Sequence, residues 1–486
     1  MLRLIKYIFI CFAIIELFFS FTACKKDKLI TDSSAKLTFS ADSVLFDTVF
    51  TQAGSTTRQI RMINNHSQKI KISSIYLQKG NSSSFIINVD GANGKNFSDI
   101  EIGAKDSMYI FIQVYINPQA LNTPVIIDDK IVFEVNGNTQ NVHLEAWGQN
   151  AYYHKPTNAI KFVDGSYLPY SIISPATNTT VVWATDKPHV IYGWLVVDSA
   201  QTLVIPAGAR IYFYQNAGLW TYRYGTLKVQ GQLGNEVVFQ GYRRESEYAD
   251  EPGQWDRIWI NEGSINNEIN YAIIKNGFIG VQADLLTNVY NADPRRLRIT
   301  NTKIFNMKKW GLYTVGYNIY GGNNVISNCK ENAVNLTLGG NYKFIHCTFA
   351  NYWDKDSRSV PAVTINNYAS STVFPLDTCY FGNTIIDGNI GSEFSLDLNY
   401  SDVNFQPKHS FNYCLIKAAT ITNSQFTNCK FNQAVNFVDP KTYDFTITDV
   451  NSAAINFSSG TDANLFPTDI KGANRLTNPD AGAYKK

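Results

Sequence analysis

Charge is scarce in this chain of 486 residues. Asp, Glu, Lys and Arg make up 17% of it, and 42 basic against 40 acidic side chains leave a formal net charge of +2. Nucleic-acid-binding proteins concentrate Lys and Arg on one surface, so this balance predicts no nucleic-acid partner. A long apolar stretch of helical period is also missing beyond the first 24 residues. With 28 Tyr and 30 Phe, the composition instead favours an exported, β-rich protein.

Paired metal-ligand motifs are missing too. The sequence has no Cys-x-x-Cys, and its 6 His are scattered, so neither a metal site nor a histidine-based triad is predicted. Two of the 7 cysteines lie in the first 24 residues, and the other five recur inside a repeated motif. We expect those five to stack as buried free thiols, with one disulfide bridge as the alternative: Cys329, Cys347, Cys379, Cys414 and Cys429.

The first 24 residues have the organisation of an export signal. Arg3 and Lys6 precede an apolar core at residues 7–19, and small residues follow it. A membrane span needs about 20 apolar residues, whereas this core is shorter and is interrupted by Glu16. A cleaved signal peptide is therefore predicted, with a retained anchor helix as the alternative.

The end of this segment, Phe21-Thr22-Ala23-Cys24, resembles a bacterial lipobox. The resemblance implies that Cys24 becomes the acylated first residue, and attachment through several acyl chains gives a durable membrane anchor. The residue after the cysteine is Lys25, whereas the resemblance associates inner-membrane retention with Asp at this position. The outer membrane is therefore predicted, and both its periplasmic and its external face remain alternatives. Residues 25–36 are expected to form a flexible tether.

Residues 37–150 show short alternating runs separated by polar turns such as Asn93-Gly94 and Asn136-Gly137. About seven such strands fit one immunoglobulin-like β-sandwich. Several short segments resemble Hydin-type immunoglobulin-like domains, and this resemblance implies a spacer or interaction module without catalysis: Gly54-Ser55, Asn64-Asn65, Ile72–Ile75, Ser84–Ile87 and Val114–Pro118.

Residues 181–486 carry a repeat, preceded by an expected linker at 151–180. Each repeat has a polar residue, a small residue or Cys, and then Ile or Phe at a fixed offset. Coils of about 20 to 30 residues with variable insertions would give this spacing. The aligned small positions are 272, 302, 329, 347, 379, 414 and 429.

The flanks of the repeat resemble known β-helix proteins. Leu203–Phe213, Gly225–Gly231 and Pro252–Trp255 are similar to opening coils of the pectate-lyase-like superfamily, and Asp469–Arg475 with Pro479–Tyr484 resembles the C-terminal cap of choice-of-anchor proteins. The predicted fold class is thus all-β, with an immunoglobulin-like sandwich followed by a right-handed parallel β-helix.

Candidate catalytic groups are few. A polysaccharide lyase of this superfamily needs carboxylates for Ca²⁺ and a basic residue, for which Asp354, Asp356 and Arg358 are the candidates. A glycoside hydrolase needs two carboxyls facing one cleft, for which Asp397 and Asp402 are the candidates. No cofactor is expected, apart from Ca²⁺ if the protein is a lyase. The alternative for the acidic loop is a solvated surface segment.

Aromatic side chains alternate on two neighbouring segments and predict a binding surface. Tyr212 and Tyr214 form one set, and Trp220, Tyr222 and Tyr224 form the other. Such rings suit stacking on sugars, although they equally suit structural packing. The leading hypothesis is a non-enzymatic cell-envelope lipoprotein that binds a polysaccharide or another surface component. A polysaccharide lyase or glycoside hydrolase is the alternative.

Overall fold

The computed structural model describes residues 28–261, 263–285 and 297–486. Cys24 and residues 25–27 lie outside these ranges. The chain divides into two compact units, which meet in the sequence between Asn150 and Ala151. Nearly all of the regular secondary structure in the described part of both units is β-strand.

The first unit is a β-sandwich of two sheets with six and five strands. One sheet has the order β1-β5-β10-β11-β3 with β8 beside β5, and the other has the order β2-β4-β9-β6-β7. Its strands are β1 (Leu29–Ile30), β2 (Thr38–Phe39), β3 (Ser43–Phe50), β4 (Arg58–Ile63), β5 (Lys69–Leu77), β6 (Phe85–Val89), β7 (Ala92–Gly94), β8 (Asn96–Ile102), β9 (Ser107–Val114), β10 (Val125–Val135) and β11 (Asn138–Gln149).

Alternation places the apolar side chains of this unit in one core. Ile60 and Met62 on β4 are fully buried, as are Ile110 and Ile112 on the neighbouring β9. The turn between β10 and β11 has positive φ at both Asn136 and Gly137, as its Asn-Gly sequence predicts. The predicted sandwich is confirmed.

The sandwich begins earlier than the sequence predicted. Leu29 and Ile30 pair with Lys69 and Ile70 on β5, and Ala35 is buried in the core. The expected tether at 25–36 is therefore wrong from Leu29 onward. The sequence signal was weak because this edge strand has only two residues.

The second unit is a right-handed parallel β-helix, in which each turn of the chain contributes strands to three long sheets. Its strands are β12 (Tyr152–His154), β13 (Asn158–Lys161), β14 (Tyr167–Ile172), β15 (Thr180–Val182), β16 (His189–Ile191), β17 (Trp194–Val197), β18 (Thr202–Pro206), β19 (Arg210–Phe213), β20 (Gly218–Thr221), β21 (Thr226–Gln230), β22 (Val237–Gly241), β23 (Ile258–Ile260), β24 (Asn267–Asn270), β25 (Ala272–Lys275), β26 (Ile279–Asp284), β27 (Leu297–Thr300), β28 (Lys303–Met307), β29 (Trp310–Val315), β30 (Asn318–Gly322), β31 (Val325–Cys329), β32 (Val334–Thr337), β33 (Gly340–Ile345), β34 (Thr348–Asn351), β35 (Val363–Asn366), β36 (Tyr368–Ala369), β37 (Thr372–Val373), β38 (Leu376–Gly382), β39 (Ile385–Gly388), β40 (Phe394–Asp397), β41 (His409–Asn412), β42 (Leu415–Ile416), β43 (Phe426–Thr427), β44 (Lys430–Phe431), β45 (Phe437–Asp439) and β46 (Asp444–Ile447). A short α-helix, α1, spans Gly460–Ala463.

Three sheets run along the β-helix. Sheet 1 has the order β12-β16-β19-β22-β25-β28-β31-β34-β39-β42-β44, sheet 2 the order β13-β14-β17-β20-β23-β26-β29-β32-β35-β40, and sheet 3 the order β15-β18-β21-β24-β27-β30-β33-β38-β41-β43. Stacked inward residues at one register fill the core, as on sheet 2 with Leu195, Leu219, Ile258, Val281, Leu312, Val334, Val363 and Phe394.

Residues 151–180 are not the linker that the sequence predicted. β12 pairs with β16, β14 with β17, and β15 with β18, all in parallel. These residues therefore form the first coil of the β-helix. The repeat motif is absent from this coil, which is why the sequence reading missed it.

The corner between sheets 3 and 1 explains the repeat. Its residues adopt a left-handed conformation with φ between 46° and 53°, which Asn tolerates well: Tyr271, Asn301, Asn323, His346, Asn383, Tyr413 and Asn428. A small residue follows each of them, and it is buried in every coil except the last, where Cys429 is partly exposed: Ala272, Thr302, Asn324, Cys347, Thr384, Cys414 and Cys429. Asn side chains also bond from coil to coil, with Asn323 donating to Asn301 at 3.0 Å.

The predicted five-cysteine ladder is only partly correct. Cys329 follows Asn328 at the corner between sheets 1 and 2, and Cys379 lies within β38, where it pairs with Tyr342. Both corners place a small residue after a left-handed Asn, so one sequence motif describes two positions. All five cysteines are free thiols; four are buried, and Cys429 is partly exposed.

Candidate functional site

Three tyrosines stand at successive turns of one corner of the β-helix. Tyr192, Tyr214 and Tyr242 directly follow β16, β19 and β22, where the chain leaves sheet 1. The ring centroids of Tyr192 and Tyr214 are 5.0 Å apart, and those of Tyr214 and Tyr242 are 5.5 Å apart. Burial raises the pKa of Tyr192 and Tyr242, so both phenols stay protonated and can donate hydrogen bonds at neutral pH.

A loop inserted after β22 stands beside this tyrosine ladder. Within the loop, the Arg243 guanidinium lies 3.8 Å from the Tyr248 ring centroid, and its Nε donates to the Glu245 carboxylate at 3.0 Å. Glu245 is buried. The run from Arg243 to Glu251 is rich in charged residues, and these contacts order the part of it that stands beside the tyrosines.

Two asparagines from later coils hold the loop in place. Asn276 Nδ2 donates to the Ala249 carbonyl, and Asn306 Nδ2 donates to the Asp250 carbonyl, each at 2.8 Å. Asn306 also donates to Asn276 at 2.8 Å. The left-handed corner that makes Asn favourable thus also supplies the amides that fix the loop.

The loop and the tyrosines enclose a pocket of about 360 Å³, which we call the tyrosine pocket. Its lining consists of Phe213, Tyr214, Gln215, Tyr242, Arg243, Tyr248, Glu251, Pro252, Gly253 and Gln254. This volume lies at the lower end of the range for small-molecule sites, and the mixture of aromatic walls and a few polar groups is typical of them.

Gln254 gives the tyrosine pocket its most specific polar group. Its Nε2 donates to the carbonyls of Tyr248 and Glu251, which orients the amide. Its Oε1 is buried and has no hydrogen-bond partner among the residues that the structure describes. Gly241 makes room for the amide, because a Cβ there would overlap the Gln254 side chain.

The predicted aromatic residues do not form one binding surface. Of the first set, Tyr214 lines the pocket and is 46% exposed, whereas Tyr212 is buried beneath the guanidinium of Arg244, which lies 5.1 Å from its ring centroid. Of the second set, Tyr222 and Tyr224 are exposed but lie beyond the end of β20. The alternation assumed from the sequence therefore stops at the strand ends.

Trp220 belongs to a packed ladder on the outer face of sheet 2. It aligns with Val196 on one side and with Trp259 on the other, and the two indole rings stack at 5.0 Å with an interplanar angle of 12°. Tyr222 packs edge-on at 5.2 Å. Trp220 thus packs against neighbouring coils and remains partly exposed, and sugar stacking on its ring stays a prediction.

A buried carboxyl adjoins this ladder, and the sequence reading missed it. Asp284 Oδ2 accepts hydrogen bonds from Trp259 Nε1 and Gln282 Nε2, both at 2.7 Å. Burial raises the pKa of Asp284. No local motif marks this residue, since its partners come from two coils.

The proposed lyase residues have structural partners. Arg358 forms a fully buried ion pair with Glu393, and Asp356 binds Lys330 Nζ at 2.5 Å and Trp353 Nε1 at 2.8 Å. Asp354 is exposed on the same loop. Arg358 is therefore unavailable as a catalytic base, and the Ca²⁺-and-base arrangement expected at Asp354, Asp356 and Arg358 is wrong. The sequence did not reveal Glu393 as the partner.

The two proposed hydrolase carboxylates have separate local partners. Asp397, at the end of β40, accepts a hydrogen bond from the Tyr368 hydroxyl at 2.9 Å. Asp402 accepts one from the Asn404 backbone amide, also at 2.9 Å, and so stabilises a turn. Across the described ranges, no group of three or more His, Cys, Asp or Glu side chains could hold a metal ion.

Comparisons with known proteins leave the family open. No family model and no curated protein matches the sequence. Within the three described stretches of chain, no helix is long and apolar enough to cross a membrane.

Among solved structures, a family 123 glycoside hydrolase from Clostridium perfringens shares 10% identity over 25% of this chain and 31% of its own, with a TM-score of 0.18. The E. coli chaperone DraB shares 8% identity over 25% of this chain and 56% of its own, with a TM-score of 0.17. The catalytic unit of a GH87 α-1,3-glucanase from Streptomyces thermodiastaticus shares 10% identity over 77% of this chain and 75% of its own, with a TM-score of 0.29. The chain thus spans about a third of the first of these structures and about half of the second, and the scores are too low to indicate a shared activity.

Proposed function

We propose that this protein is a lipid-anchored cell-envelope protein whose β-helix binds a polysaccharide at the tyrosine pocket without cleaving it. The observation that carries the proposal is a concave site of about 360 Å³ with aromatic side chains such as Tyr214 and Tyr248 in its walls and the fixed amide of Gln254 in its lining. Sugars offer complementary surfaces, since their C–H faces pack on aromatic rings and their hydroxyls form hydrogen bonds with polar groups of a lining.

The charges at the pocket favour a ligand rich in hydroxyl groups. Arg243 is already paired with Glu245, and Glu251 contributes one carboxylate of its own. A strongly acidic polymer would meet this carboxylate, while the cation of the lining, Arg243, is already engaged by Glu245. The proposal therefore favours a neutral or weakly charged glycan.

Membrane attachment is proposed from the leader alone. The lipobox-like segment ending at Cys24 would anchor the mature chain to the outer membrane, and the β-helix would meet envelope or extracellular polysaccharide there. Binding without cleavage is consistent with the structural partners of Arg358 and Asp356.

Affinity electrophoresis on a panel of polysaccharides tests the pocket. Tyr214→Ala should raise the dissociation constant derived from retardation about fivefold, because a stacked ring contributes about 1 kcal/mol to binding. Tyr214→Phe keeps the ring and should keep most of the affinity. Tyr224→Ala is the matched control, since Tyr224 is an exposed tyrosine outside the pocket. Equal effects of Tyr214→Ala and Tyr224→Ala, or no retardation by any polysaccharide, would contradict the proposal.

A further inference from the structure

The outer face of one sandwich sheet carries exposed apolar side chains. On β9 the residues alternate, so Ile110 and Ile112 are buried while Tyr109 and Phe111 are 47% and 41% exposed. On the neighbouring β6, Ile86 is 42% exposed. Contiguous apolar side chains on the surface of a folded domain often mark an interaction site or a ligand-binding groove.

Strand register sets polar groups directly beside this cluster. Phe111 pairs with Asn88 on β6, Asn88 pairs with Asn93 on β7, and Gln113 pairs with Ile86. Paired residues lie about 5 Å apart across strands. The result is a hollow of about 350 Å³ lined by Thr57, Ile86, Asn88, Asn93, Phe111 and Gln113, which we call the sandwich hollow.

The polar side chains of the sandwich hollow hold one another in position. Asn88 Nδ2 donates to Asn93 Oδ1 at 2.9 Å, and Gln113 Nε2 donates to Thr57 Oγ1 at 2.7 Å. These bonds fix three amide planes and still leave each amide with donors or acceptors to spare. None of the six lining side chains is ionisable.

We infer that the sandwich hollow is a second saccharide site, selective for neutral sugars. Phe111 supplies a ring for a C–H face of the sugar, and the amides of Asn88, Asn93 and Gln113 can each bond neighbouring hydroxyls through one oxygen and one nitrogen. An apolar protein partner would bury these amides and leave their remaining donors and acceptors without hydrogen bonds, which is costly. A sugar satisfies them.

Calorimetric titration of the full chain in detergent tests this site. The probes are gluco-, manno-, galacto- and xylo-oligosaccharides, with oligogalacturonate as the charged comparison. The background carries Tyr214→Ala, which is expected to weaken binding at the tyrosine pocket about fivefold and so makes the contribution of the sandwich hollow easier to measure. On it, Phe111→Ala and Asn88→Ala should each weaken binding of a neutral oligosaccharide by about fivefold or more. Leu45→Ala, an exposed apolar change on the other sheet of the sandwich, should leave binding unchanged.

The outcomes separate this site from the tyrosine pocket. Loss with Phe111→Ala and Asn88→Ala but not with Leu45→Ala supports the sandwich hollow, whether or not the tyrosine pocket binds. Binding that Tyr214→Ala weakens and that Phe111→Ala leaves unchanged in the otherwise wild-type chain refutes the sandwich hollow and supports the tyrosine pocket. Absence of neutral-sugar binding in the Tyr214→Ala background, or tighter binding of oligogalacturonate than of every neutral probe, also refutes it.

Discussion

Replacement of Arg358 by Met tests whether the loop first considered catalytic is instead structural. Arg358 and Glu393 side chains are 1% and 0% exposed. The guanidinium binds both Glu393 oxygens, at 2.5 and 2.8 Å, and also reaches the carbonyls of Asn351 and Val360. The pair therefore joins the loop after β34 to the chain before β40.

The expected cost is large because the substitution leaves a buried charge behind. Removal of one partner of a buried ion pair typically lowers the free energy of unfolding by about 3 to 5 kcal/mol. The Glu393 carboxylate keeps two backbone donors, Ile390 at 2.8 Å and Ala362 at 2.9 Å. The lower end, about 3 kcal/mol, is therefore expected. In Arg358→Met/Glu393→Gln the charge is gone, so part of this loss should be recovered.

The pH dependence of the deficit follows from Glu393. Burial raises the pKa of Glu393 above its ordinary value of 4.5, while Arg358 and the backbone donors oppose the rise. Loss of Arg358 raises the folded pKa further. A group with a raised folded pKa contributes stability that is complete below the unfolded pKa and is lost as pH rises through the folded pKa. The deficit of Arg358→Met should therefore be smaller near pH 5 than near pH 8.

Urea denaturation at the two pH values measures both effects, provided that unfolding of the β-helix is treated as its own transition. Lys330→Met is the control, since it removes the exposed Lys330–Asp356 pair from the same loop and should leave the transition midpoint almost unchanged. A stable Arg358→Met protein whose denaturation matches wild type at both pH values would refute the structural role.

Three further predictions concern a histidine and the cysteines. Burial lowers the pKa of His189 to about 4, so the stability that its neutral form contributes is complete above about pH 6.5 and is lost as the pH falls. Between about pH 8 and pH 5, the wild-type protein should therefore lose about 2 kcal/mol more unfolding free energy than His189→Phe in urea titrations. An equal loss in the two proteins would contradict this prediction. A thiol reagent should label Cys429 in the native protein and the four buried cysteines only after denaturation. Mass spectrometry measures the number of labels, and several labels on the native chain would contradict this prediction. Fatty-acid labelling in a Gram-negative host should be lost in Cys24→Ala, and equal labelling would refute lipidation.

Side-chain periodicity was sufficient to predict the fold class. Alternating runs with Asn-Gly turns indicated the sandwich, and the recurring motif indicated the β-helix, because each coil needs a small inward residue after a left-handed corner. Asn is the residue that most easily adopts this conformation among those with a side chain, so the corners are visible in the sequence.

The register of the repeat could not be read as reliably. Asn328-Cys329 and Asn428-Cys429 have the same local sequence but lie at different corners, because both corners impose the same backbone conformation. Cys379 matched the motif by chance within a strand. Only the pairing of neighbouring coils separates these positions, and that pairing is set by inserted loops of variable length.

The candidate site was less accessible still. Tyr214 was predicted, but Tyr192 and Tyr242 lie on other coils and Gln254 on an inserted loop, and no fixed spacing connects them. The one local signal is that each tyrosine follows the end of a sheet 1 strand. Burial of Glu245 and of the Arg358–Glu393 pair had no sequence signal, since charged residues on loops are usually solvated.

The position of the tyrosine pocket follows from how a β-helix uses its surfaces. Inward ladders must fill the core, and outward ladders such as Trp220 and Trp259 pack against the coils above and below, so a regular coil leaves little concave surface. An insertion at a corner changes this, because its residues stand away from the stack and face the ladder beside them. The loop after β22 does so next to Tyr214 and Tyr242, with Asn276 and Asn306 fixing it from later coils. A preformed wall opposite a rigid ladder lowers the ordering cost of binding, and this favours ligand recognition at the corner over the regular faces of the sheets.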